Sequence, residues 1–144
     1  SKLVEQATGG KPGESFDIDA EYELRSPLTY LKNVKLHFPL HINAGIEDGH
    51  KGSVPISHSL QAYNALAEEK DRFTEPEILE LTQNKIIPKS LKTYQIKNEK
   101  YGKWDVLLRR KSDKVTITLF NGGHDNHAPS AFKWFDNQIK LKDE

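Results

Sequence analysis

Two segments far apart in the chain constrain its fold more than anything else in it. Gly45-Ile46-Glu47-Asp48, with its sequel Gly52-Ser53-Val54-Pro55, follows an apolar run over residues 38–44. Asn121-Gly122-Gly123-His124 follows a second run over residues 115–120. Each run reads as a strand and leads into an amphipathic stretch that reads as a helix. Strands alternating with helices point to an open, largely parallel α/β sheet with flanking helices. In such sheets chemistry collects in the loops at the carboxyl ends of the strands, where Asp48 and His124 stand.

The remaining pattern fills in this outline. Residues 1–15 hold three glycines and a proline without an apolar period, and read as loop with room for one short turn of helix. A brief helical pattern at Ile18, Tyr22 and Leu24 stops at Pro27, and a second apolar patch follows at Leu28 and Leu31. Pro39 cannot donate within a strand, so pairing should begin at about Leu40. After a loop over 45–53, Ser53 or Ser57 can cap a helix whose apolar face is Leu60, Tyr63, Leu66 and Ala67, with Pro55 in its first turn. Thr74-Glu75-Pro76-Glu77 is a capping-box pattern ahead of Ile78 and Leu81. Residues 84–104 look irregular. Residues 106–110 and 115–120 read as two strands around a turn at 111–114, an added hairpin. In the second of these, Val115, Ile117 and Leu119 alternate with Thr116 and Thr118, which places it near a sheet edge. A last helix over 129–139 puts Ala131, Phe132, Phe135 and Ile139 on one face.

At 144 residues the chain reads as one domain, 1–144, with a modest core. Its 29% of charged residues cancel to zero net charge, which argues against nucleic acid or an anionic membrane as the main partner. No apolar run approaches the roughly 18 residues of a membrane span. Without cysteine there are no disulfides or thiolate metal sites, and the compartment stays open.

An acid after one strand and a histidine after a later one is the second half of a Ser…Asp…His triad in chain order. "RSPLTYL", "INAGIEDGHKGSVPISHSLQAYNALA" and "LFNGGHDNHAPSAFKWFDNQ" resemble the C-terminal part of an α/β-hydrolase of the prolyl oligopeptidase type, over roughly residues 25–70 and 106–140. In that family a strand ends in Gly-x-x-Asp and is followed by Val-Pro and a helix, matched by Gly45, Asp48, Val54 and Pro55. Its catalytic histidine sits in a Gly-Gly-His turn, matched by Gly122-Gly123-His124. The resemblance implies a partial α/β-hydrolase fold with an inserted helix and coil segment at about 72–104. It also implies Asp48 and His124 as catalytic residues, no cofactor, and a peptide or ester substrate for the intact parent.

No serine in the chain is flanked as G-x-S-x-G; Ser53 follows a glycine but leads into Val-Pro on the acid loop. The nucleophile and oxyanion donors are therefore expected from a missing N-terminal hydrolase portion. If the chain folds alone, the strand near Leu40, Ile42 and Ala44 should satisfy its bare edge by self-association. The alternative is a non-catalytic α/β binding domain that keeps only the hydrolase outline. A metal site built from Asp48, His50, His124 and His127 is not expected, because H-E-x-x-H is lacking and histidines three apart face each other only on a helix. His58 suits packing or a hydrogen bond at its helix start. Tyr94, Tyr101 and Trp104 read either as a small satellite cluster or as the lining of a lid.

Overall fold

In the computed structural model, described over residues 2–50 and 54–140, the first fifteen residues hold more order than their composition suggests. Lys2–Thr8 forms a helix, α1, and Thr8 Oγ1 donates to the Val4 carbonyl at 2.9 Å. Ser15 caps α2 (Phe16–Arg25) by accepting from the Ile18 N–H at 3.3 Å. Pro27 separates α2 from α3 (Pro27–Leu31), where it occupies the first turn. These helices belong to a unit spanning residues 1–35; residues 36–144 form a second unit, which carries the candidate site.

The second unit begins with strand β1 (Leu40–Gly45), starting at the residue after Pro39. Helix α4 (Ile56–Leu66) has Pro55 as its N-cap and no side-chain cap bond. Ser57 lies within the helix and Ser53 lies outside the described residues, so neither is seen as the expected cap. Helix α5 (Glu75–Leu79) opens with the full capping box: Thr74 N–H donates to Glu77 Oε2 at 2.9 Å, and Glu77 N–H donates to Thr74 Oγ1. Residues 80–94 continue in a π-helical turn and a 3₁₀ segment that buries Leu91. Short strand β2 (Lys100–Tyr101), then β3 (Trp104–Ser112) and β4 (Val115–Phe120), complete the sheet before α6 (Ala128–Lys140).

The sheet has four strands in the order β1-β4-β3-β2, and it corrects the expectation of a largely parallel α/β-hydrolase sheet. Only β1 and β4 are parallel; β4–β3 and β3–β2 are antiparallel. The cause is local. A two-residue loop at Asp113-Lys114, with Asp113 at φ 45°, ties β3 to β4 as a hairpin. Among the described residues the one parallel crossover is the long β1-to-β4 connection, which runs through α4, α5, β2 and β3. Nor is β4 an edge strand. It lies between β1 and β3, with Val115, Ile117, Thr118, Leu119 and Phe120 all buried. Its threonines alternate because one face of this sheet is polar and enclosed, not because it meets solvent. The edges belong to β1 and to short β2, each paired on one side only among the described residues.

Register divides the side chains between two faces. Ile42 and Ala44, Ile117 and Leu119, and Leu108 share the face on which α4 packs, and with Leu60, Tyr63, Phe73, Ile78 and Leu81 they make the main core. Arg110 also lies on this face, its guanidinium 4.6 Å from the Tyr94 ring and 5.1 Å from that of Phe73. His41, Asn43, Thr116, Thr118, Arg109 and Lys111 share the opposite face. Helix α6 presents Ser130, Lys133, Trp134 and Asn137 toward that side, while Phe132 and Phe135 point outward at 66% and 54% exposure. The expected apolar face of α6 thus does not pack on the sheet, since the strand face beneath is polar and the helix turns its polar side to it. The Ile139 side chain lies outside the described residues.

Candidate functional site

The parallel pairing of β1 with β4 brings the two strand-to-helix loops together at the carboxyl ends of neighbouring strands. Backbone bonds lock them: Ile46 N–H donates to the Phe120 carbonyl and Glu47 N–H to the Gly122 carbonyl, each at 2.9 Å. Gly45 is demanded by this approach, because a Cβ there would sit 2.2 Å from the Gly122 and Gly123 carbonyl oxygens. Asp48 N–H then donates to the Gly45 carbonyl at 3.1 Å, turning the Asp48 side chain inward. Gly49, at φ 84°, takes a conformation other residues rarely adopt and lets the chain leave the turn.

Asp48 and His124 meet at this junction. His124 Nδ1 lies 3.2 Å from Asp48 Oδ1 and 3.4 Å from Oδ2, and only the Oδ2 approach has hydrogen-bond alignment. The imidazole therefore straddles the carboxylate in a loose contact, not a short linear bond. The carboxylate is nearly enclosed, with its side chain 8% exposed, whereas the His124 side chain is 71% exposed. Among the described residues nothing bonds to His124 Nε2. A carboxylate beside Nδ1 favours the tautomer with its proton there, leaving a lone pair on Nε2 toward solvent. The pair borders an open cleft of about 320 Å³, also lined by Val54, Ser59, Tyr101 and Asn126.

The other histidines are engaged elsewhere. His50 Nε2 lies 2.7 Å from the Thr82 carbonyl, to which it donates. His127 immediately precedes α6 and caps it: its Nδ1 lies 2.7 Å from Ser130 Oγ and accepts from the Ser130 N–H at 3.3 Å. Among the described residues no group of three or more His, Asp or Glu side chains is placed to hold a metal ion. His58 is exposed on α4.

Tyr94, Tyr101 and Trp104 do not form one cluster. Tyr94 packs on the main core, while Tyr101 stacks on Phe120 at 4.6 Å in a smaller cluster with Val106 and Trp104. Tyr101 walls the cleft beside His124 and receives the His127 N–H on its hydroxyl at 3.2 Å.

Sequence reasoning missed a second polar constellation on the far face of the sheet. Arg109 forms a bidentate pair with Glu99, its Nη1 donating to Oε2 at 2.9 Å, and its Nε donates to Thr118 Oγ1 at 3.0 Å. The Thr118 oxygen also lies 2.8 Å from His41 Nε2. With Arg109 using an acceptor site of that oxygen, the hydroxyl proton is free to donate to a neutral His41. Burial, reinforced by the Arg109 charge, pushes the His41 pKa down from 6.5 to about 4, against the smaller opposing pull of Glu99. Arg109 in turn holds the Glu99 carboxyl below its ordinary range. The available signal was the threonine alternation in β4 opposite His41 and Arg109.

No family model, curated protein or solved structure is significantly similar to this chain. Among the described residues no helix is long and apolar enough to cross a membrane.

Proposed function

We propose that Asp48 and His124 are the acid and base of a serine hydrolase acting on ester or peptide bonds, with the nucleophilic serine supplied from outside these 144 residues. The observation that supports this reading is the contact of a buried carboxylate with one nitrogen of an exposed imidazole at the ends of two parallel strands. In the reaction Asp48 keeps the proton on His124 Nδ1. Nε2 takes the serine hydroxyl proton as the oxygen attacks the carbonyl, then returns it to the leaving group as the tetrahedral intermediate collapses. The carboxylate stabilises the imidazolium formed between these two steps. The resemblance to the prolyl oligopeptidase type is carried by the two loop motifs, while the mixed sheet gives it no support.

The test compares this chain with the full-length protein that contains it. A fluorophosphonate probe is expected to label the latter at a serine outside these residues and to leave this chain unlabelled. In the labelled protein His124→Ala should lower kcat by on the order of 10⁴. Stoichiometric labelling at Ser59, which lines the same cleft, would place the nucleophile within the chain and overturn the division of labour. An unchanged kcat in the His124 variant would leave the pair a structural contact, and the chain a binding domain.

A further inference from the structure

We propose that the cavity between the polar sheet face and α6 binds a small organic phosphate, an assignment independent of the role of His124. The cavity measures about 740 Å³, within the range of roughly 300–1,000 Å³ that holds small organic ligands. Four lysines and Arg109 line it against Glu99 and Asp113, and with Lys100 paired to Asp105 at 2.6 Å the lining keeps a surplus of two positive charges in a protein whose net charge is zero. A concave, like-signed lining of this kind concentrates anions.

The cations are of two kinds, engaged and free, and Lys100, paired with Asp105, and Lys114, donating to the Leu36 carbonyl at 3.1 Å, join Arg109 among the engaged. Arg109 is committed to Glu99 and Thr118, so its planar fork is not open to a carboxylate ligand. Lys111 and Lys133 make no ion pair among the described residues, and Lys133 acts on Glu99 only at longer range. Free lysine ammonium groups are compact point charges that suit a tetrahedral phosphate better than the bidentate geometry a carboxylate prefers. Trp134, whose ring lies 5.3 Å from that of His41, and Pro39 offer an apolar wall for the body of the molecule. The Asn43 side chain also lines the cavity, where its amide can hydrogen-bond a polar group of the ligand.

Two side chains report on occupancy. His41 faces Arg109 and Glu99 from the sheet side and Trp134 from α6. A bound phosphate would stabilise its charged form, so its pKa should rise from about 4 by about one unit. Trp134 emission, isolated in a Trp104→Phe background, should change saturably.

The experiment titrates the folded chain with phenyl phosphate and with inorganic phosphate, following His41 by NMR and Trp134 by fluorescence. Phenyl phosphate is expected to bind more tightly than inorganic phosphate and to move both signals. The double variant Lys111→Ala/Lys133→Ala should weaken it tenfold or more, on the order expected for losing charge-assisted contacts. Lys70→Ala, away from the cavity, should leave binding unchanged. Both signals unmoved at millimolar phenyl phosphate, or binding indifferent to the double variant, would overturn the proposal. So would co-sedimentation with phosphatidic acid vesicles that depends on the same two lysines, which would assign the charges to a lipid surface.

Discussion

The two faces of the sheet are built from adjacent residues of the same strands, yet they solve opposite problems. On one face Ile117, Leu119, Leu108 and Ala44 meet α4 in an apolar core, where these side chains need only shape and apolar area, and Arg110 on the Tyr94 and Phe73 rings is the charged exception. On the other, buried Thr118 links half-exposed His41 and Arg109, with Glu99 beyond, in a chain of hydrogen bonds, and α6 stands off across a cavity. Burial alone therefore does not define the core of this protein. What differs is how far the packed groups depend on particular partners: on the polar face, loss of the Thr118 hydroxyl takes a partner from both His41 and Arg109.

The largest effect should come from breaking the apolar face. Ile117→Ala removes a fully buried side chain next to Leu60 and Leu108, and is expected to cost about 2–5 kcal/mol by denaturant unfolding. On the polar face Thr118→Val keeps the shape but strips the one oxygen shared by His41 and Arg109. The expected cost is about 1–3 kcal/mol, from desolvated groups left without a partner and not from lost volume. If Thr118→Val proved neutral, the two faces would not differ in kind.

A smaller effect sharpens the same contrast through pH. The folded pKa of His41 is depressed to about 4, so between that value and 6.5 the unfolded chain binds the proton that the folded chain refuses. The contribution is fully present above about pH 6.5 and is lost as pH falls toward 4. Because the ring is only half-buried, the loss should be on the order of 1–2 kcal/mol after allowing for solvent screening. Urea midpoints across this window should fall for the wild type and fall less for His41→Gln. Identical slopes for the two would show that His41 does not carry the dependence.

How legible each part was in the sequence follows from the physics that fixes it. Thr74 and Glu77 act within four residues of each other, so their capping box could be read directly. The loop pair was also readable, because Gly45 and Gly122 mark a close backbone approach on either side of an acid and a histidine. Strand direction was legible only in part. The turn at 111–114 announced residues 106–110 and 115–120 as a hairpin, but apolar periodicity is silent on whether the sheet around it is mostly parallel, and only the β1–β4 pair is. The same periodicity misled at α6. Phe132 and Phe135 look core-facing only if the strand face opposite is apolar, and that face carries His41 and Arg109. The polar constellation was hidden because its members, Glu99, Arg109, Thr118 and His41, come together only through the register of separate segments.

The central claim, that Asp48 sets the protonation geometry of His124, is tested most directly by long-range nitrogen–proton NMR on the His124 ring. In the wild-type chain at mildly alkaline pH, the proton should reside on Nδ1 and Nε2 should carry the lone pair. In Asp48→Asn, which can offer an N–H to Nδ1, the population should move toward the Nε2–H form. A wild-type ring already protonated on Nε2, or one whose tautomer ignores Asp48→Asn, would contradict the account.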